Sequence, residues 1–370
     1  MLDRSLFDRL AEMSGETLIS VYLPTHVKGA ETKQDRIRLK NGLAEVDAEL
    51  ESAGWTPKDR AARLDPARLL LEDEEFWQHQ GPGLGVLVDD EARMTTVALR
   101  TGVMERTVIS PVFHLRPAIP SLRTVELPVL LLTKGAVRLY RASRHEISQL
   151  DADLPESFED VNWFVDREPQ RQRHPDATGT KRGRHGHEGG YREEDLERFL
   201  RAVADALPDP GGPTPLVVLG DDNLAARFAK VYEQETVSPP HGGIDDIDDI
   251  VELRGKATEV VESHEKSLLL ETLDEAKEHL ATGAAITDID QGLTAAVSGR
   301  IGTLLLDADA PPRWGEFDPD TLQTVHYQDR KIHAVDLLDR LAIHAIGTGA
   351  EVVTTDGPIE GQPLLAVTRF

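Results

Sequence analysis

Residues 128–142 read PVLLLTKGAVRLYRA, and this stretch decides the fold of the middle of the chain. Pro128–Thr133 is a fully apolar strand, Lys134–Gly135 is a two-residue turn, and Ala136–Ala142 forms the returning strand, so the sequence predicts a β-hairpin. After Asp151 the pattern dissolves. Residues 167–190 hold almost no aliphatic side chain but many Arg, His and Gly, which predicts a long loop. Tyr191, Leu196, Phe199, Leu200, Val203 and Leu207 then fit one face of a helix, residues 215–219 a strand, and residues 223–232 a second helix. A hairpin, loop, helix, strand and helix make a small α/β domain, expected over residues 126–242.

Toward the N-terminus, Leu18–Leu23 is an apolar strand stopped by Pro24. Residues 34–51 keep helical spacing through Ile37, Leu39, Leu43, Val46 and Leu50. Strands are expected at 83–88, 94–99 and 107–115, so residues 1–125 form an α+β domain. Toward the C-terminus, Gly242, Gly243 and the acidic run Asp245, Asp246, Asp248 and Asp249 read as a linker. Helices at 269–280, 289–297 and 335–346 alternate with short strands at 302–306, 351–354 and 364–367, which predicts an α/β/α sandwich over residues 251–370. The expected fold class is thus mixed α/β and α+β in three domains.

The chain has 370 residues, a formal net charge of −25 and no Cys. The missing Cys removes disulfides, thiolate metal sites and Cys nucleophiles together. No apolar run is long enough to cross a membrane, and the N-terminus lacks the pattern of a signal peptide, so a cytoplasmic location is expected. The negative field opposes general binding to nucleic acid or membrane unless positive charge is concentrated locally. It is concentrated: the three successive thirds carry net charges of −4, −10 and −11, yet Arg167–Arg192 holds seven Lys and Arg against three acidic residues, a local +4. A second basic cluster comprises Lys28, Lys33, Arg36, Arg38 and Lys40, opposed by Glu31 and Asp35.

Most catalytic motifs are absent. Gly255–Lys256 is followed by Ala257 rather than Ser or Thr, so there is no phosphate-binding P-loop. His145, His187 and His264, each followed by Glu, lack a second His four residues on. No nucleophile elbow and no dinucleotide fingerprint occur. His174, His185 and His187 share the basic loop without an acidic residue at a matching spacing, and no metal or cofactor is expected. Asp221 and Asp222, just past the strand at 215–219, are the one well-placed carboxylate pair for a metal-dependent hydrolase or nuclease, which needs clustered carboxylates for two ions. That activity is one alternative reading, and a protein-binding module is another.

Three regions carry a resemblance. Tyr22–His26 with Gln34–Asn41, the hairpin and glycine-containing loop leading into the helix from Arg192, and residues 269–370 with Gly302–Leu306 together resemble the bacterial members of the archaeo-eukaryotic release factor superfamily, related to Pelota and class-1 release factors. The resemblance implies an RNase H-like middle domain and an L7Ae-like C-terminal domain. In release factors of this superfamily a Gly-Gly-Gln loop tip places the water that hydrolyses peptidyl-tRNA. The matching positions here are Gly189, Gly190 and Tyr191, and an aromatic ring cannot replace the carboxamide. The resemblance therefore implies binding at the ribosomal A site, as in rescue or hibernation, rather than catalysis. The ribosome, through rRNA and tRNA, is the expected partner, together with a protein partner at the C-terminal domain. The residues expected to meet RNA are Arg167, Arg171, Arg173, Lys181, Arg182, Arg184, His185, His187, Lys28, Arg36, Arg38 and Lys40.

Overall fold

The structure is a computed structural model that describes residues 2–26, 32–162, 193–209, 214–239, 241–244, 246–331 and 333–369. It has a mixed α/β fold with several sheets, divided into two compact units: residues 1–123 with 268–370, and residues 124–267.

The first segment of unit 1 begins with α1 (Arg4–Glu12), capped by Asp3, whose carboxylate accepts from the Leu6 N–H at 2.7 Å. There follow β1 (Ser14–Pro24), α2 (Thr32–Ser52), α3 (Pro57–Leu69), α4 (Glu74–Gln78), β2 (Gly83–Val88), β3 (Met94–Leu99) and β4 (Arg106–Val112). The strands form an antiparallel sheet ordered β3-β2-β1-β4. Central β1 is buried on both faces: Ile19, Val21 and Leu23 pack with Leu39, Leu43, Val46 and Leu50 of α2, while Leu18 and Tyr22 point to the opposite side. The helix lies close on the sheet at Gly42, where a Cβ would come within 3.0 Å of the Val21 side chain.

Unit 2 holds β5 (Leu127–Leu132), β6 (Val137–Ala142), β7 (Ile147–Gln149), α5 (Phe158–Asn162), α6 (Glu193–Ala206), β8 (Leu216–Gly220), α7 (Asp222–Phe228), β9 (Thr236–Val237) and the first part of α8 (Ile250–Ala281). The five-stranded sheet is ordered β7-β6-β5-β8-β9, antiparallel from β7 to β5 and parallel from β5 to β9. Leu130, Leu132 and Val218 face Phe199, Leu200 and Val203 of α6 with Leu224 and Phe228 of α7. Val129, Leu131, Val217 and Leu219 face Leu253, Ala257, Val260 and Val261 of α8. Burial on both faces explains the unbroken apolar run in β5.

The last segment of unit 1 contains β10 (Ala285–Ile286), α9 (Ile289–Val297), β11 (Ile301–Asp307), β12 (Trp314–Asp318), β13 (Gln323–His326), β14 (Val335–Asp336), α10 (Leu337–Gly347), β15 (Glu351–Thr355) and β16 (Leu364–Thr368). One sheet is ordered β10-β16-β11-β15 and a smaller one β13-β12-β14. Leu304 and Leu306 pack toward α9 and α10, and Leu305, Val353 and Leu365 toward Ala276 of α8.

Where the sequence suggests separate domains over 1–125 and 251–370, these two segments form one unit. A single buried cluster joins Phe7, Leu10, Leu18 and Tyr22 to Leu293, Leu304, Leu341 and Ala342. The apolar stripe of α1 and the second face of the β1–β4 sheet are covered by α9 and α10, a pairing between residues too far apart in sequence for periodicity to register. The acidic run is also more than a linker: Asp249 accepts from the Val251 and Glu252 N–H groups at 2.9 and 3.0 Å and caps a helix that starts at Ile250, well before residue 269. The β12–β13–β14 sheet has no counterpart in the sequence reading.

Candidate nucleic-acid interface

The loop tip Gly189, Gly190 and Tyr191, the basic residues Arg167, Arg171, Arg173, Lys181, Arg182, Arg184, His185 and His187, and Lys28 lie outside the described residues. Arg36, Arg38 and Lys40 fall in the first turns of α2. Residues three and four apart share a helix face, so the buried set Leu39, Leu43, Val46 and Leu50 leaves Lys33, Arg36, Ile37 and Lys40 on the outer face. Lys33 and Lys40 are exposed, Arg36 is partly exposed 3.9 Å from Glu74, and Ile37 is 56% exposed between them. A cationic stripe with an apolar residue at its centre can meet phosphates with its charges and a base or sugar with its apolar part.

Arg38 has a different job. It turns toward Asp35, its Nη1 donating to Oδ1 at 2.8 Å, and its Nε donates to Glu105 at 3.2 Å. Asp35 is buried and also accepts from the His26 backbone N–H at 2.8 Å, with His26 Nδ1 2.9 Å from Oδ1. One carboxylate thereby ties the end of β1 to the first turn of α2, and Thr25 fixes the same strand end by donating to the Gly81 carbonyl at 2.7 Å. The sequence presents Asp35 only as an opposing charge in a basic cluster. The signal that could have found its role is the Asp35–Arg38 spacing at i, i+3.

The carboxylate pair Asp221 and Asp222 stands at the C-terminal end of β8. Asp221 Oδ1 caps α7, accepting from the Asn223 and Leu224 N–H groups at 2.9 and 3.1 Å. Among the described residues no group of three His, Cys, Asp or Glu could hold a metal ion.

A second polar cluster, which no sequence motif announces, is buried in unit 1. Arg116, fully buried, places Nη2 3.1 Å from Asp336 Oδ2 and donates to the Ala310 carbonyl at 2.7 Å. Asp339 accepts from the Leu115 and Arg116 N–H groups at 2.7 and 2.5 Å, across 224 and 223 residues of sequence. Tyr22 donates to the His114 carbonyl at 2.7 Å. Burial, reinforced by the charges of Arg116 and Arg106, pushes the His114 imidazole well below its ordinary pKa and keeps it neutral.

Residues 128–300, somewhat under half of the chain, match the family described as Bacterial archaeo-eukaryotic release factor family 3. None of the curated proteins compared matches this chain. Among solved structures, the chain is similar to Archaeoglobus fulgidus Pelota at 15% identity and a TM-score of 0.35, covering 78% of this chain and 79% of that one. It is similar to the archaeal translation termination factor aRF1 at 14% identity and a TM-score of 0.25, covering 99% and 96%. A chain of a structure described as a model of ribosome-bound archaeal Pelota and ABCE1 is similar at 11% identity and a TM-score of 0.35, covering 99% of this chain and 93% of that one.

Proposed function

We propose, from the premise that residues 128–300 belong with the bacterial archaeo-eukaryotic release factors, that this protein is a ribosome-associated translation factor that occupies the A site without hydrolysing peptidyl-tRNA. The observation that carries this reading is the distribution of charge. In a chain of net −25, positive charge gathers in Arg167–Arg192 around Gly189–Gly190–Tyr191 and on the outer face of α2. The acidic remainder keeps the protein off RNA in general, and the two basic regions meet phosphates where the rest of the surface cannot. Tyr191 in place of Gln favours occupancy over hydrolysis. The middle domain is read as RNase H-like and the C-terminal segment as L7Ae-like, the latter offering a surface to a protein partner. Among the described residues no helix is long and apolar enough to cross a membrane, which is compatible with work at cytoplasmic ribosomes. The nuclease alternative draws little support from Asp221, whose Oδ1 already accepts two helix N–H groups.

Cosedimentation with 70S ribosomes over a salt series tests the role of α2. Replacing Lys33, Arg36 and Lys40 together by Ala is expected to weaken binding and to make the slope of log K against log salt shallower, at about 0.7–0.9 per lost phosphate contact. An unchanged slope would remove α2 from the interface. Arg38→Ala acts differently: it releases the Asp35 tie and affects folding of the β1–α2 joint.

A further inference from the structure

Asp336 and Asp339 stand three residues apart where β14 passes into α10, with side chains 0% and 1% exposed. Asp336 Oδ1 caps the helix, accepting from the Leu338 N–H at 3.2 Å and from the Arg313 N–H at 3.0 Å. Asp339 Oδ1 receives the Leu115 and Arg116 N–H groups. Asp339 therefore grips the backbone of the segment that follows β4, and Asp336 meets the same segment through the Arg116 guanidinium. Each also keeps an Oδ2 that is buried and has no hydrogen-bond partner among the described residues.

The groups facing the pair are Tyr22 from β1, Arg106 from β4, His114 and Arg116 from the segment after β4, and Arg340 from α10, with Asp309 beyond them near Arg106. Burial holds Tyr22 as the phenol and His114 as the neutral imidazole. Arg116 is the guanidinium in contact, 3.1 Å from Asp336. His114 Nδ1 stands 3.6 Å from Asp339 but carries no charge. Two dry carboxylates against one contacting cation is an arrangement that retains a proton, because a second buried negative charge has neither solvent nor a direct ion partner.

We propose that Asp336 and Asp339 hold one proton between them and that its loss, as pH rises to neutrality, loosens the joint between α10 and the residue 114–116 segment, making unit 1 sensitive to pH there. Burial, and then the neighbouring Asp336, raise the Asp339 carboxyl to about 7, and burial raises Asp336 as well. The sign follows from linkage. A carboxyl whose folded value lies above its unfolded value near 4 contributes stability that is complete below about pH 4 and is lost as pH rises through about 7. His114 acts in the opposite sense and lower down, costing stability as pH falls below about 6.5. The two effects oppose one another below about pH 6.5, and between there and about pH 7 the loss at Asp339 stands alone. This inference is independent of ribosome binding.

Amide exchange of the full chain at Leu115 and Arg116, compared between the parent and Asp339→Asn, isolates the proton because His114 and the intrinsic exchange rates are common to both. Protection in the parent relative to the variant should fall about tenfold from about pH 6 to about pH 8. A constant ratio would overturn the proposal. Should the variant not fold, infrared titration of the parent decides: a carboxylic-acid carbonyl band disappearing near neutrality is expected, and no such band between about pH 6 and about pH 8 would equally overturn it.

Discussion

Arg116→Met should lower the stability of unit 1 by about 3–5 kcal/mol, because it leaves Asp336 as a buried charge without its contacting partner. The methionine keeps most of the apolar stem, so lost packing is a small part of the effect. The guanidinium also donates to the Ala310 carbonyl at 2.7 Å, and that acceptor would lose this donor. Opposing the loss, Arg116 Nε and Nη1 are buried without hydrogen-bond partners among the described residues, and their desolvation cost disappears with the side chain. The cost of an unpaired buried carboxylate exceeds that relief. Urea unfolding at neutral pH checks the figure, and a change below about 1 kcal/mol would mean that the ion pair merely balances its own desolvation.

Phe7→Ala is expected to cost about 3–5 kcal/mol and, more tellingly, to destabilise strands almost three hundred residues away. Phe7 is fully buried in the cluster that also holds Leu304, Leu341 and Leu364. If residues 1–123 and 268–370 share one core, a cavity opened under α1 weakens β11 and β16 together with β1. Amide exchange should show the three strands losing protection in parallel. Protection lost in β1 alone would mean that the two segments fold as separate domains.

Whatever repeats over short distances was legible in the sequence. The unbroken run in β5 and the periodic apolar positions of α2 follow from burial on two faces and on one, and both elements begin and end within a few residues of expectation. Lys33, Arg36 and Lys40 were legible as members of a basic cluster, but the helical spacing grouped Ile37 with the apolar positions, and the structure leaves it 56% exposed among them. The role of Arg38 was not legible, because its partner Glu105 is remote in sequence and its other partner, Asp35, has the look of an ordinary surface acid. The Arg116–Asp336 contact and the shared core of unit 1 were invisible, since each depends on pairing the two ends of the chain. Long α8 was obscured by its acidic start, in which Asp249 serves as a cap, and by Gly255, which lies in the helix where a Cβ would meet nothing.

The central claim, that a locally basic stretch of an acidic chain brings this protein to the ribosome, is tested most directly by cosedimentation with 70S ribosomes from growing and starved cells, comparing the full chain with one lacking residues 171–187. The account predicts salt-sensitive binding by the full chain and its loss on deletion, with starvation dependence pointing to hibernation rather than rescue. Equal binding by both chains, or binding by neither, would contradict it.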